Sequence, residues 1–370
     1  MTAHPGAGAP SLPGPWPAIL DEARRYPSPH NSQPIVVRVH DDRRAEIFYD
    51  LDRGLPAENF GIPFAHVCAG VYLESLATVA AAHGWAVRET LRLAEMDFSS
   101  PDRRHLLGTV ELEPTPVTDA AVEQLAAFRA RRTSRRPYDR RPVDARVTEE
   151  VAAVAAAAGQ EFGRTGDQAL VDDLIRINQE TLFDDLRDDA VHAEILTWIR
   201  TSKRQAAATR DGLSAETMLI PGPLLRIAMR HRWLWDLPVI GGVFRRVYLN
   251  TMRGVRELGW LTGPFDGPAD HVEAGRVFLR IWLAFTRHGV DLHPFGTVIT
   301  NPRSHAAFVE RTGIQETGGR MAWMLFRYGT GRTPPRAWRR RLDAMLVDGR
   351  SDTPDGSSSA ALRLPPAVAS

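Results

Sequence analysis

Apolar residues along this 370-residue chain recur at two different intervals. Helical spacing predicts a first helix over about 16–25 and a long one over 63–83, where Val67, Val71, Leu76 and Val79 share a face. Gly84 supplies its stop. Strand-like runs are expected at 35–40, 45–49, 85–93 and 106–113, then a helix at 119–129. Further on, the pattern predicts an Ala-rich helix at 147–158, a strand at 160–164 and helices from 167 to about 207. A strand at 257–263, a long helix at 270–288, a loop at 290–296, a helix at 302–312 and a strand at 320–329 complete the series. Helices alternating with strands in this way place the chain in the α+β class.

The two long helices resemble each other. "HVCAGVYLESLATVAAAHG" (66–84) aligns with "HVEAGRVFLRIWLAFTRHG" (271–289) at a constant offset of 205, with six of 19 positions identical. Each would carry a small-residue site, Gly70 or Gly275, where a facing helix can come close. An internal duplication, with two halves packed like the subunits of a dimer, is one reading. Two ordinary buried helices in unrelated domains is the other.

Composition narrows the field. Forty-six basic and 45 acidic residues leave a net charge of +1, so no global field selects nucleic acid or anionic membrane. Lys203 is the one lysine, so a single arginine means little. One cysteine, Cys68, excludes an intrachain disulfide and suits a reducing, cytoplasmic interior. Residues 1–15 read as a flexible lead and 348–370, rich in Ser, Pro and Gly, as a disordered tail. The apolar region 62–84 is interrupted by His66, Glu74 and His83, which argues against a membrane span.

Two polar stretches carry the candidate chemistry. "SPHNSQP" (28–34) holds more amides and hydroxyls than a connecting loop needs, and "RRTSRR" (131–136) concentrates cations. Local turn chemistry would explain the first, and a solvated basic turn the second. Taken with "AGRVFLRIWLAFTRHGVDLHPFG" and "MLFRYGTGRTPPRAWRRRL", however, the order of these pieces resembles the nitroreductase superfamily, in particular its fused, double-length Acg-type FMN-binding branch. The resemblance covers about residues 16–347. It departs where "QPIVV" stands in place of the usual Gln-Pro-Trp, and at "HPFG".

The resemblance implies two tandem nitroreductase-like halves, 16–130 and 131–347, forming a pseudo-dimer around mixed or antiparallel sheets, with a lid-like insertion at 210–257. It implies FMN as cofactor and NAD(P)H as electron donor. Arg131, Arg132, Thr133 and Arg135 would bind the phosphate, a task for which guanidinium forks are suited. Ser28, His30, Asn31, Ser32 and Gln33 would meet the flavin edge, since Asn31 and Gln33 both donate and accept. Pro294 and Gly296 would lie against the ring, with His293 facing it or serving structure. Arg336 and Arg339 either complete the phosphate site or mark a solvated helix start.

The implied activity is transfer of two electrons from NAD(P)H to a nitro compound, quinone or similar conjugated acceptor, or dehydrogenation of a small natural product. The competing expectation is a protein that stores FMN with little turnover. No nucleotide-binding glycine motif, P-loop, nucleophile elbow or metalloprotease motif occurs, and metal binding is not expected. The block 224–256, with seven arginines and one acid, fits either a lid or a segment lying on a membrane surface. The chain would act as a monomeric pseudo-dimer or pair further.

Overall fold

The computed structural model describes residues 12–59 and 61–347. Residues 1–11 of the expected lead, and the whole expected tail, lie outside them. The first part of the chain forms α1 (Trp16–Ala23), β1 (Ile35–Val39), β2 (Arg44–Asp50), α2 (Phe64–Ala82), β3 (Trp85–Leu91), β4 (Arg104–Pro114) and α3 (Asp119–Ala130). Then come α4 (Ala145–Ala156), β5 (Glu161–Thr165), α5 (Gln168–Asp185), α6 (Asp189–Trp198), β6 (Ile199–Arg200), α7 (Lys203–Thr209), β7 (Leu213–Ser214), α8 (Ala215–Met218), α9 (Gly222–Arg230) and α10 (Pro238–Thr251). The last part holds β8 (Glu257–Pro264), α11 (Pro268–Arg287), β9 (Asp291–Pro294), α12 (Gly296–Thr300), α13 (Pro302–Thr312) and β10 (Arg320–Gly329).

The architecture is α+β, built on two four-stranded antiparallel sheets ordered β1-β2-β4-β3 and β5-β8-β10-β9. Their topologies match. In each, the second strand leads into a long helix, the helix into an edge strand, and the last strand returns between the second and the edge.

The two long helices, α2 and α11, pack directly on each other. A Cβ at Gly70 would lie 1.8 Å from the Val272 carbonyl oxygen, and one at Gly275 would lie 2.0 Å from that of Val67. Val67 and Val272 are themselves separated by the offset of 205, so the contact is reciprocal. The equivalent pair His66 and His271 also meet, with ring centroids 6.0 Å apart. Contacts of this kind are what a two-fold axis produces. Around the crossing lies one continuous core that includes Trp16, Tyr72, Trp282, Phe285, Trp323 and Phe326. This burial accounts for α2, which is long and apolar enough to cross a membrane but is 83% buried over its most apolar window.

One expectation needs correcting. Residues 291–294 are not loop: they form β9, pairing with Phe326 to Gly329 of β10, because the neighbouring strand satisfies their backbone. The helices expected from 167 to about 207 are present as three, separated at Leu186 to Asp188 and at Ile199 to Ser202. A second, smaller core joins Leu186, Val191, Ile195, Ile199, Leu225, Met229 and Trp235. The inserted layer between β5 and β8 therefore reaches back well before residue 210.

Candidate functional site

The polar loop closes on itself and then on distant parts of the chain. His30, Asn31 and Gln33 all take positive φ (48°, 55° and 53°). A non-glycine residue holds that conformation only when its surroundings impose it. Here the Ser28 hydroxyl accepts from the Gln33 amide at 3.0 Å, and Arg53 donates to the Ser32 carbonyl at 2.6 Å. His30 Nε2 sits 2.7 Å from a Glu58 carboxylate oxygen.

Asn31 is buried and donates to the carbonyls of Gly212 (3.1 Å) and Trp338 (3.0 Å), while its oxygen accepts from Arg339 at 2.8 Å. Gln33, fully buried, donates to Asn31 (3.3 Å) and Arg210 (3.0 Å) carbonyls and accepts from the Arg340 amide at 2.8 Å. Both amides thus spend their N–H groups on the protein itself. They tie the first sheet's loop to the insertion at 210–212 and to a C-terminal strap at 338–340.

The strap delivers Arg339 beside Arg131. Arg339 donates to the Arg25 carbonyl at 3.1 Å, and Arg131 donates to the same oxygen at 3.2 Å while stacking 4.6 Å over the Trp282 ring. Two cations share one neutral acceptor, and among the described residues neither has a carboxylate within ion-pair distance. Burial, reinforced by the charge of Arg339, lowers Arg131 to about 9; burial lowers Arg339 to about 10.

A second group of cations adjoins the first. Residues 131–136 run along the free edge of β9: Thr133 bridges to Leu292 and the Ser134 amide donates to the Leu292 carbonyl at 3.1 Å. That places Arg135 near Arg327, a fully buried residue of β10 that lies directly across from His293 of β9. Arg327 donates to the carbonyls of Thr251 (2.6 Å) and Ser134 (3.0 Å) and lies 4.9 Å over the Tyr138 ring.

Burial and the Arg327 charge bring Arg135 down to about 10. Burial, then Arg135 and Arg327, hold His293 well below its ordinary range, so its imidazole is neutral at physiological pH. Asp291 is the acid closest in effect to this group. Burial raises it to about 6 against the pull of Arg132 and Arg327. Arg132 donates to the Pro334 carbonyl at 2.7 Å and feels the charge of Arg336, which is exposed.

Buried donors left without partners cluster here. Among the described residues, the Nε atoms of Arg131, Arg132, Arg136, Arg327 and Arg339, together with His293 Nδ1, are buried and make no hydrogen bond. Native proteins rarely leave such groups unpaired. A phosphate monoester, with almost two negative charges and three acceptor oxygens, fits this donor set. Gly296, at the start of α12, has room beside it: a Cβ there would touch only Phe64, at 4.0 Å.

No family model and no curated protein matches the chain. Some solved structures do. An FMN-dependent nitroreductase from Mycobacterium smegmatis in complex with NADPH aligns at 15% identity, over 63% of this chain and 100% of that one, with a TM-score of 0.38. A nitroreductase with bound FMN from Bacteroides fragilis aligns at 13%, over 59% and 94%, with a TM-score of 0.35. An NADPH:FMN oxidoreductase from Vibrio harveyi complexed with NAD+ aligns at 10%, over 64% and 82%, with a TM-score of 0.37.

The structure brings Arg131 and Arg339 together on the Arg25 carbonyl, joins Asn31 to Arg339, and groups Arg132, Arg135 and His293 around β9. Sequence reasoning passed over Arg327, Asp291, Tyr138 and Tyr248. Arg327 left one trace, a lone charge in the otherwise apolar strand "AWMLFRYG". Tyr248 comes from α10, where its hydroxyl is bonded to Asn178 beside Arg135 and Arg327.

Proposed function

We propose that this chain is an FMN-dependent oxidoreductase of the nitroreductase type, passing two electrons from NAD(P)H to a nitro, quinone or similar conjugated acceptor. One observation carries the proposal: buried Arg131 and partly buried Arg339 lie side by side on a single carbonyl with, among the described residues, no acid to neutralise them. Cations in that state are held for an anion. The order of "SPHNSQP", "RRTSRR" and "HPFG" in the sequence supplies the identity of that anion as FMN.

In this reading Arg131, Arg132, Thr133, Arg135, Arg336 and Arg339 hold the phosphate. Asn31 and Gln33 act by fixing the strap that presents Arg339. Ser28, His30 and Ser32 shape the loop around them. His293, neutral and next to Arg327, and Pro294 form the β9 wall, with Gly296 leaving space at its end. Bound there, FMN would supply the hydride chemistry, which no side chain provides. The protein's part is a positive, water-poor seat that favours the anionic reduced cofactor.

The halves 16–130 and 131–347 correspond, on this proposal, to the two subunits of a dimer joined into one chain. The reciprocal glycine crossing and the matching sheet topologies support that view.

Turnover is tested by adding NAD(P)H to the purified flavoprotein without oxygen. The expected outcome is bleaching of the yellow absorption and its return when a nitroaromatic or quinone is added. Bound flavin that neither reagent changes would establish the storage reading instead.

A further inference from the structure

The inserted layer has two faces of different character. Its inner face reaches the cation cluster through Tyr248 and the Thr251 carbonyl. Its outer face exposes apolar groups. Of the eleven large hydrophobic residues exposed among the described residues, seven lie between 224 and 256: Ile227, Trp233, Leu237, Val239, Ile240, Val243 and Leu249. Val239 is 79% exposed and Trp233 62%. Within α10, Val239 and Val243 stand one turn apart on the solvent side, and Ile240 and Leu249 flank them. A folded protein seldom leaves such a concentration facing water without a use.

The charge around that face points to its occupant. The segment 224–256 holds seven of the chain's 46 basic residues and one of its 45 acids, a local charge of +6 in a chain whose remainder carries −5. Arg230, Arg245, Arg246 and Arg253 are exposed and, among the described residues, make no ion pair. A tryptophan, branched apolar side chains and unpaired arginines, all exposed within this one segment, match what an anionic bilayer interface binds: apolar groups enter the acyl boundary while guanidiniums stay at the phosphates. We propose that α10 and the turn before it dock this protein on anionic phospholipid membranes, with the inner face of the same layer still closing the cation cluster.

The experiment is co-sedimentation of the full chain with vesicles of phosphatidylcholine alone or mixed equally with phosphatidylglycerol. Binding is expected to the mixed vesicles and not to the neutral ones, and it should weaken as salt rises. Val239→Asp with Val243→Asp should abolish it. Arg245→Ala with Arg246→Ala should weaken partitioning roughly fivefold per residue, about 25-fold together. All four side chains are exposed, so the thermal midpoint should hold in each variant. Failure to sediment with anionic vesicles, equal binding to neutral ones, or unchanged binding by the aspartate variant would overturn the proposal. So would a concentration-dependent dimer, seen by ultracentrifugation, that the aspartate variant dissolves, because the face would then belong to a second copy.

Discussion

A buried guanidinium with no carboxylate beside it carries a desolvation cost of several kcal/mol. Arg131 is such a group, and Arg339, partly buried, donates to the same carbonyl. Replacing Arg131 by alanine should therefore weaken FMN binding by roughly 10- to 150-fold, the equivalent of ~1.5–3 kcal/mol for a charge-assisted contact. The thermal midpoint of the cofactor-free protein should stay level or rise, since an unpaired charge has been removed. Equilibrium dialysis and calorimetry check both parts. The pH dependence follows from Arg131 being lowered to about 9 in the free protein. Phosphate affinity should be flat near neutrality and fall as the pH rises past about 9, where the cation is lost. The cofactor-free fold should gain stability over that rise, because the unfolded chain keeps the proton longer. Arg131 and Arg135 stood out in the sequence because their spacing resembles a phosphate motif. Arg327 was not, because one charge in an apolar strand reads as an edge or solvent position until the opposite strand covers it.

At the scale of elements, the crossing of α2 and α11 is the most sharply constrained feature. Alanine at Gly70 or Gly275 would push a methyl into a backbone oxygen that has no rotamer to escape through. Each substitution should destabilise by ~1–3 kcal/mol or more, by similar amounts. The double variant should cost less than the sum, because the first already separates the helices that the second would pry apart. Denaturant melts measure this, and strict additivity would count against a shared crossing. Both helices were visible in the sequence through their periodicity and terminal glycines, and so were most strands. β9 was not. With four residues and a proline it has little pattern of its own, and its pairing with β10 comes from the sheet rather than from propensity.

In the molecule as a whole, the C-terminal strap binds distant parts together. After β10 the chain meets Asn31, Gln33 and Arg210, then adds to the edge of the first sheet, where the Val347 amide donates to the Val37 carbonyl at 2.9 Å. Ending the chain after Thr333 should expose residues 28–34 and 210–212 to proteases, lower the thermal midpoint and abolish FMN binding. An unchanged digestion pattern would show that the strap is dispensable. The paired halves could be read from the offset of 205, since the repeated helix preserves its glycine and histidine. The clasp could not, because its hydrogen bonds join residues about 300 positions apart and use backbone carbonyls that leave no mark in sequence.

The most direct measurement is an FMN titration, followed by quenching of the flavin's fluorescence, of the cofactor-stripped protein and of its Arg131→Ala, Arg339→Ala double variant. The expected result is saturable binding of one FMN per chain in the parent and a loss of at least about a hundredfold in the variant, from two charge-assisted contacts. A parent that takes up no FMN, or a variant that binds it as tightly, would contradict the assignment of these two arginines to a cofactor's phosphate.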